Sequence, residues 1–113
     1  MLLTYQGADG AVKTVRLKTI PHAKSITIGR GKEADICLED TKASRINTAI
    51  RYWDDIFVVR DMKSHNGTYL NGQKIEVAKL SGNDVLKVGD TEIHISTEEG
   101  SSSDVTLTSK PPA

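Results

Sequence analysis

DMKSHNGTYLNG, residues Asp61–Gly72, holds two Asn-Gly dipeptides, Asn66-Gly67 and Asn71-Gly72. Asn and Gly both take positive φ at low steric cost, which makes the pair the strongest short-range turn signal. The second pair lies between two short strand-like runs, Thr68–Leu70 and Gln73–Val77, and reads as a two-residue hairpin turn. The first pair carries more than a connection needs. Ser64, His65 and Thr68 crowd it with hydrogen-bonding side chains. Polar side chains on loops held by a rigid β scaffold are a common way to build a binding surface.

Working outward, the chain reads as β throughout. Leu2–Gln6 and Val12–Lys18 are short strands joined by the turn Gly7-Ala8-Asp9-Gly10, and Pro21 breaks the chain after them. Lys24–Ile28 alternates, with Ile26 and Ile28 on one face, and Asp35–Leu38 is a further short strand. Glu39–Ile46 is polar and reads as a loop. In Asn47–Trp53, residues Thr48, Ile50 and Tyr52 share one face, and Ala49, Arg51 and Trp53 the other. Asp54-Asp55 marks a tight turn. Ile56–Val59 is a continuous apolar run, expected to be a central strand buried on both faces. Ile75–Val77, Val85–Val88 and Thr91–Ser96 complete the strands, with turns at Ser81–Asp84 and Gly89-Asp90. No window shows sustained 3.6-residue apolar spacing. Short strands with regular turn signals predict an antiparallel β-sandwich or barrel.

The 113 residues suit one domain, expected to span residues 1–96. From Thr97 to Ala113 the composition turns to Ser, Thr and Pro with little to bury, which predicts a flexible tail or linker. Its end, Lys110-Pro111-Pro112-Ala113, reads as a linker cut short. Fifteen Lys and Arg balance fifteen Asp and Glu, so any anion-binding must be local, and nucleic acid is not an expected partner. No apolar run approaches the ~18 residues of a membrane span, and no signal peptide follows Met1. Cys37, the single cysteine, sits between Ile36 and Leu38 and is expected to be a buried, inert thiol. These features fit a cytoplasmic setting.

Two short cationic stretches stand out. Gly29-Arg30-Gly31-Lys32 lacks the spacing and the following helix of a phosphate loop; what remains is an Arg after a strand end, either a turn residue or an anion contact. Lys42-Ala43-Ser44-Arg45 offers two cations and a hydroxyl, which suit phosphate oxygens but also an ordinary surface loop. Catalysis is not expected. Ser44, Ser64, His65 and Asp61 invite a triad reading, but no nucleophile elbow is present. One Cys and three distant His, at 22, 65 and 94, match no metal spacing, and no cofactor motif is present.

Taken together and in order, Gly29-Arg30, Asp35-Ile36-x-Leu38-x-Asp40, Ser44-Arg45, Asp61-x-x-Ser64-His65-Asn66-Gly67-Thr68, Asn71-Gly72 and Gly89-Asp90 resemble the forkhead-associated (FHA) domain over about residues 24–96. The resemblance implies an eleven-stranded antiparallel β-sandwich whose loops at one end bind phosphothreonine peptides downstream of a Ser/Thr kinase. It places phosphate contacts at Arg30 and Ser44, and further ones at Arg45 and His65. Asn66 matches the residue that hydrogen-bonds the peptide backbone, and Lys42 a position that influences the residue three after the phosphothreonine. Ser64, Gly67, Thr68 and Asn71 shape the loops. The alternative is a structural FHA-like domain that assembles with other proteins without phosphate, as in secretion-system rings. One position departs from the family. Asn47 stands where a bracing His is usual, and a shorter side chain without a ring is expected to brace the loops less well, so that Asn47→His should leave stability unchanged or raise it.

Overall fold

The computed structural model describes residues 1–7, 9–17 and 25–97. The break at Pro21, the outer ends of the strands expected at Lys18 and Lys24, and the tail beyond Thr97 lie outside the described residues. The strands are β1 (Leu2–Gln6), β2 (Val12–Arg16), β3 (Ile26–Gly29), β4 (Ile36–Cys37), β5 (Thr48–Trp53) and β6 (Ile56–Asp61), then β7 (Thr68–Leu70), β8 (Gln73–Ile75), β9 (Val77–Leu80), β10 (Val85–Val88) and β11 (Thr91–Ser96). They form a six-stranded sheet, β2-β1-β11-β10-β7-β8, and a five-stranded sheet, β4-β3-β5-β6-β9. The all-β, eleven-stranded architecture expected from the family resemblance is present.

Alternation sets the core. Leu3, Leu86, Val88, Ile93 and Ile95 of the six-stranded sheet face Ile28, Ile50, Phe57, Val59 and Leu80 of the five-stranded one, all buried. Tyr52 closes one end against Phe57, with ring centroids 4.8 Å apart. Two hairpins turn as their sequences predict. Asn71 and Gly72 have φ of 51° and 85°, Asp54 and Asp55 of 53° and 64°, so both central residues are left-handed and match the twist of the flanking strands.

Four expectations need correction. The pairing is not wholly antiparallel: β3 and β4 run parallel, Ile28 opposite Ile36 and Gly29 opposite Cys37. Cys37 is exposed, not buried. Alternation turns Ile36 and Leu38 inward and leaves the thiol outside, where Sγ lies 3.6 Å from the carbonyl oxygen of Arg30. In β6 only Phe57 and Val59 are buried; Ile56 and Val58 are half-buried on the outer face, so the strand is internal to its sheet but not covered on both sides. Finally, the run expected as Gln73–Val77 is divided. The chain leaves the six-stranded sheet after Ile75 and enters the other as β9, pairing with β6 from Arg60 opposite Val77 to Phe57 opposite Leu80.

The sheet crossings gather the loops. The segments after β3, β4 and β6 and the β10–β11 turn meet at one end, tied by Arg30 N–H to Ser44 O and Gly31 N–H to Arg45 O, both 2.9 Å. Leu86 is fully buried on β10 between β11 and β7, so Leu86→Ala should cost about 2–5 kcal/mol in a urea unfolding titration while leaving the loop end folded in the native state.

Candidate recognition site

The loop end is built on a buried polar chain. Asn47 is fully buried. Its Oδ1 accepts the Ser44 backbone N–H at 2.9 Å. Its Nδ2 donates toward Thr48 Oγ1 (3.0 Å), Thr68 Oγ1 (3.2 Å) and the Gly67 carbonyl (3.3 Å). The Thr68 hydroxyl donates to Asp61 Oδ1 at 2.7 Å, since an ionised carboxylate only accepts. The Thr48 hydroxyl, 2.8 Å from Thr68 Oγ1, must then be the donor in that pair. The chain is therefore polarised from Asn47 through Thr48 and Thr68 to Asp61. Ser64 joins it by donating its hydroxyl to Asp61 Oδ1 and its N–H to Oδ2.

This network decides which groups face outward. The Ser64 hydroxyl is spent inward. Ser64 bonds Asp61 directly, with no imidazole between them. Ser44 Oγ accepts the His65 backbone N–H at 2.8 Å and keeps its own proton to donate. Arg30 is exposed, and its Nε is tied to the Ala43 carbonyl at 3.1 Å, which leaves the two terminal nitrogens of the guanidinium without a partner among the described residues. Asn66 Nδ2 donates to the Lys42 carbonyl at 2.7 Å, joining the loop after β6 to the loop after β4. Lys42 itself reaches Asp90, Nζ to Oδ2 at 3.5 Å, with both side chains well exposed. Arg45 is engaged: its Nη2 meets Glu33 Oε2 at 2.8 Å. The hydrogen bond from Arg45 outweighs burial and holds the Glu33 carboxyl below its ordinary value. Arg30, Lys42, Ser44, Arg45, His65 and Asn66 thus share one rim, but Arg30 and Ser44 have donors to spare while Arg45 shares its fork with Glu33. Asn71 lies elsewhere, its amide holding Asp84 and the Val85 N–H at the β9–β10 turn.

Three residues have structural roles that the sequence does not spell out, although Asp40 and Thr68 stand at motif positions. Asp40, almost wholly buried, takes the Lys42 N–H on Oδ1 and the Asp90 N–H and Thr91 hydroxyl on Oδ2, joining the Ser44 loop to the β10–β11 turn. Gly89 makes this possible, because a Cβ there would lie 2.7 Å from the Asp40 carboxylate. Thr48 and Thr68 sit at buried positions of β5 and β7; Thr68 belongs to the Asn66-Gly67-Thr68 motif, whereas Thr48 is marked in sequence only as a polar side chain on an apolar face. Gly29 brings β3 against the same loop: a Cβ would fall 2.2 Å from the Arg45 carbonyl oxygen. Among the described residues no cluster of His, Cys, Asp and Glu could hold a metal ion.

The bracing at position 47 is not weak, contrary to expectation. Asn47→Ala leaves the Ser44 N–H without its acceptor and should cost about 1–3 kcal/mol. Asn47→His must fit a ring into a site with no exposure; overpacking of this kind costs about 1–3 kcal/mol, so the melting temperature should fall rather than rise. Thermal melts of both variants check this.

Asp40 yields a pH prediction. Burial pushes its carboxyl up, but hydrogen bonds from Thr91, Lys42 and Asp90 outweigh that and hold it below the ordinary value. A depressed folded-state value means that the unfolded chain binds the proton first. The stabilisation is complete above about pH 4 and is lost as pH falls further, through the folded-state value. Asp40→Asn should therefore cost about 1–3 kcal/mol at pH 7 and progressively less below pH 4, read from urea titrations across that range.

Known proteins resemble this chain in sequence and fold. The FHA domain family model matches residues 26–89. FhaA of Mycobacterium tuberculosis is 34% identical over 91 residues, which are 80% of this chain and 16% of FhaA. The oxoglutarate dehydrogenase inhibitor of Corynebacterium diphtheriae is 40% identical over 63 residues, 56% of this chain and 44% of the inhibitor. The chain thus spans less than half the length of these curated relatives. Among solved structures, the FhaA FHA domain in complex with the intracellular domain of Rv3910 aligns with a TM-score of 0.69 at 34% identity, covering 81% of this chain and 97% of that one. The FHA domain of CT664 from Chlamydia trachomatis aligns at 0.77 with 27% identity, covering 87% and 97%. With the family model running from the start of β3, which leads into Arg30, to Gly89 at the β10–β11 turn, this chain belongs to the FHA domain family.

Proposed function

We propose that the domain binds phosphothreonine-containing segments of partner proteins, as a receiving module downstream of a Ser/Thr kinase. The observation that carries this reading is the pairing of Arg30 and Ser44 on one rim, each fixed by a backbone tie and each with donors left over. A phosphothreonine presents three acceptor oxygens and a charge of about −1.5 to −2. The Arg30 fork, the Ser44 hydroxyl and the neighbouring Arg45 supply donors to different oxygens, Arg45 by exchanging Glu33 for phosphate. His65 stands beside Ser44 and adds a further phosphate contact. Asn66, already bridging two loops, presents its amide oxygen to the backbone of the bound segment. Lys42 meets residues on the C-terminal side of the phosphothreonine.

FHA domains are binding modules, and relatives of this chain are named as regulators or inhibitors. No helix among the described residues is long and apolar enough to cross a membrane. We place the domain in the cytoplasm, where Ser/Thr kinases have access to its partners.

Two or three charge-assisted bonds at about 1.5–3 kcal/mol each, less ordering costs, support micromolar binding, near −8 kcal/mol. Isothermal titration with matched phosphothreonine and threonine peptides tests this. Only the phosphorylated form should bind, and Arg30→Ala should weaken it roughly ten- to hundredfold with an unchanged melting temperature. Equal binding of both peptides would assign the domain to phosphate-independent assembly instead.

A further inference from the structure

We propose that the outer face of the five-stranded sheet is a second contact surface, which takes an acidic segment of the same phosphorylated partner that the loops hold. This rests on the phosphothreonine reading and extends it to what lies beside the phosphothreonine in the partner.

Alternation places the residues. Phe57 and Val59 are buried, so Val58 and Arg60 of β6 face outward. Ile50 and Leu80 are buried, so Arg51 of β5 and Lys79 of β9 do the same. Val58 pairs with Arg51 on one side and Lys79 on the other. Two cations therefore flank it, each one strand spacing of about 4.8 Å away, and Arg60 stands about 7 Å further toward the loops. Arg60 in turn borders a cleft of about 670 Å³ that Lys63 and Lys74 also line, beside the Ser64–Thr68 loop.

The acids bordering the face, Asp35, Asp54, Asp55 and Glu76, leave most of its cations without an ion pair. Arg60, Lys63, Lys74 and Lys79 make no ion pair with any described residue. Of the carboxylates near the cleft, Asp61 is taken by Ser64 and Thr68, which leaves Glu76. Asp35, at the far edge of the sheet, accepts from Thr27 N–H and Oγ1. Five cations, Arg51, Arg60, Lys63, Lys74 and Lys79, thus lie on or beside this face. Like charges gathered on one face repel, and an anionic segment relieves that repulsion. Between the cations lie apolar surfaces, Val77 at 50% exposure and Trp53 at 45%. The Trp53 ring is covered by Arg51, 4.9 Å from its centroid, so it is not an open platform for stacking a nucleobase. The chemistry fits acidic side chains spaced along an extended segment with apolar residues between them.

Continuity fixes whose segment it is. β6 runs from this face directly into the loop whose His65 N–H is bonded to Ser44. A segment anchored by its phosphate and extended at about 3.3 Å per residue reaches the row of Arg51, Val58 and Lys79 within roughly four to eight residues.

The test titrates the chain with three phosphothreonine peptides sharing one core: neutral flanks, an acidic cluster four to eight residues before the phosphothreonine, and the same cluster after it. Exposed ion pairs contribute individually small factors, so several together should give about a tenfold tighter complex for one acidic peptide at low salt. That gain should vanish in about 0.5 M salt and in the double variant Arg60→Glu/Lys79→Glu, which should bind the neutral peptide as wild type does. Normal binding of the neutral peptide with no acidic preference, or a preference that survives the double variant, overturns this proposal alone. Failure of every phosphopeptide to bind folded wild-type protein overturns the recognition reading and this one with it. Vesicles containing phosphatidylserine that bind wild type but not the variant, without any peptide preference, would give the face to a membrane and also overturn it.

Discussion

The recognition end depends on the polar chain that starts at the Asn47 amide and ends at the Asp61 carboxylate. It lies where the two sheets part, so apolar packing cannot fix the loops there. Every member is satisfied: the amide by Ser44 N–H and three acceptors, the threonines by each other and by Asp61. In a buried, low-dielectric site such bonds are strong when complete and costly when one is missing. That asymmetry makes the loop geometry cooperative. Moving Gly67 would strand the amide, and moving Ser44 would strand its oxygen. Asp40 repeats the device on the other side, joining the loop after β4 to the β10–β11 turn.

The two arginines of the site show how a scaffold can give similar residues different states. Arg30 is pinned through its Nε by a backbone carbonyl and makes no ion pair among the described residues. Its free fork is preorganised for an anion. Arg45 is held by Glu33, so an incoming phosphate must first compete with a carboxylate already in hydrogen-bond contact. Such an exposed pair is weak and screened by salt. Glu33 thus occupies the cation in the free domain without fixing it, and keeps local charge near balance until a stronger anion arrives.

Much of the fold was legible because short-range signals and long-range packing agree. Asn71-Gly72 and Asp54-Asp55 turn as read, and Thr48, Ile50 and Tyr52 share a face. Reading failed where partners decide. Cys37 lies in an apolar triplet, but a strand paired on one side and open on the other exposes every second residue. Nothing local announces that the chain changes sheets at Glu76, because Gln73–Val77 has the pattern of one strand. At the site, Arg30, Ser44, Arg45 and His65–Asn66 were visible as motif positions. Asp40 was visible as a motif position and Thr68 as a loop-shaping one, but the bonds they make, and the part played by Thr48, were not, since these exist only between elements far apart in sequence.

Asn47 carries one more consequence. The brace is a carboxamide, which neither gains nor loses a proton across the physiological range. An imidazole in the same place would change charge between about pH 5 and 8 under modest influence from its surroundings, and would then present two donors where the Ser44 N–H needs an acceptor. The amide keeps its acceptor oxygen and its N–H donors at every pH a cell reaches. The brace at position 47 therefore does not respond to acidity, and proton-dependence of the loop scaffold can enter only through its carboxylates, such as Asp40, and not through the amide.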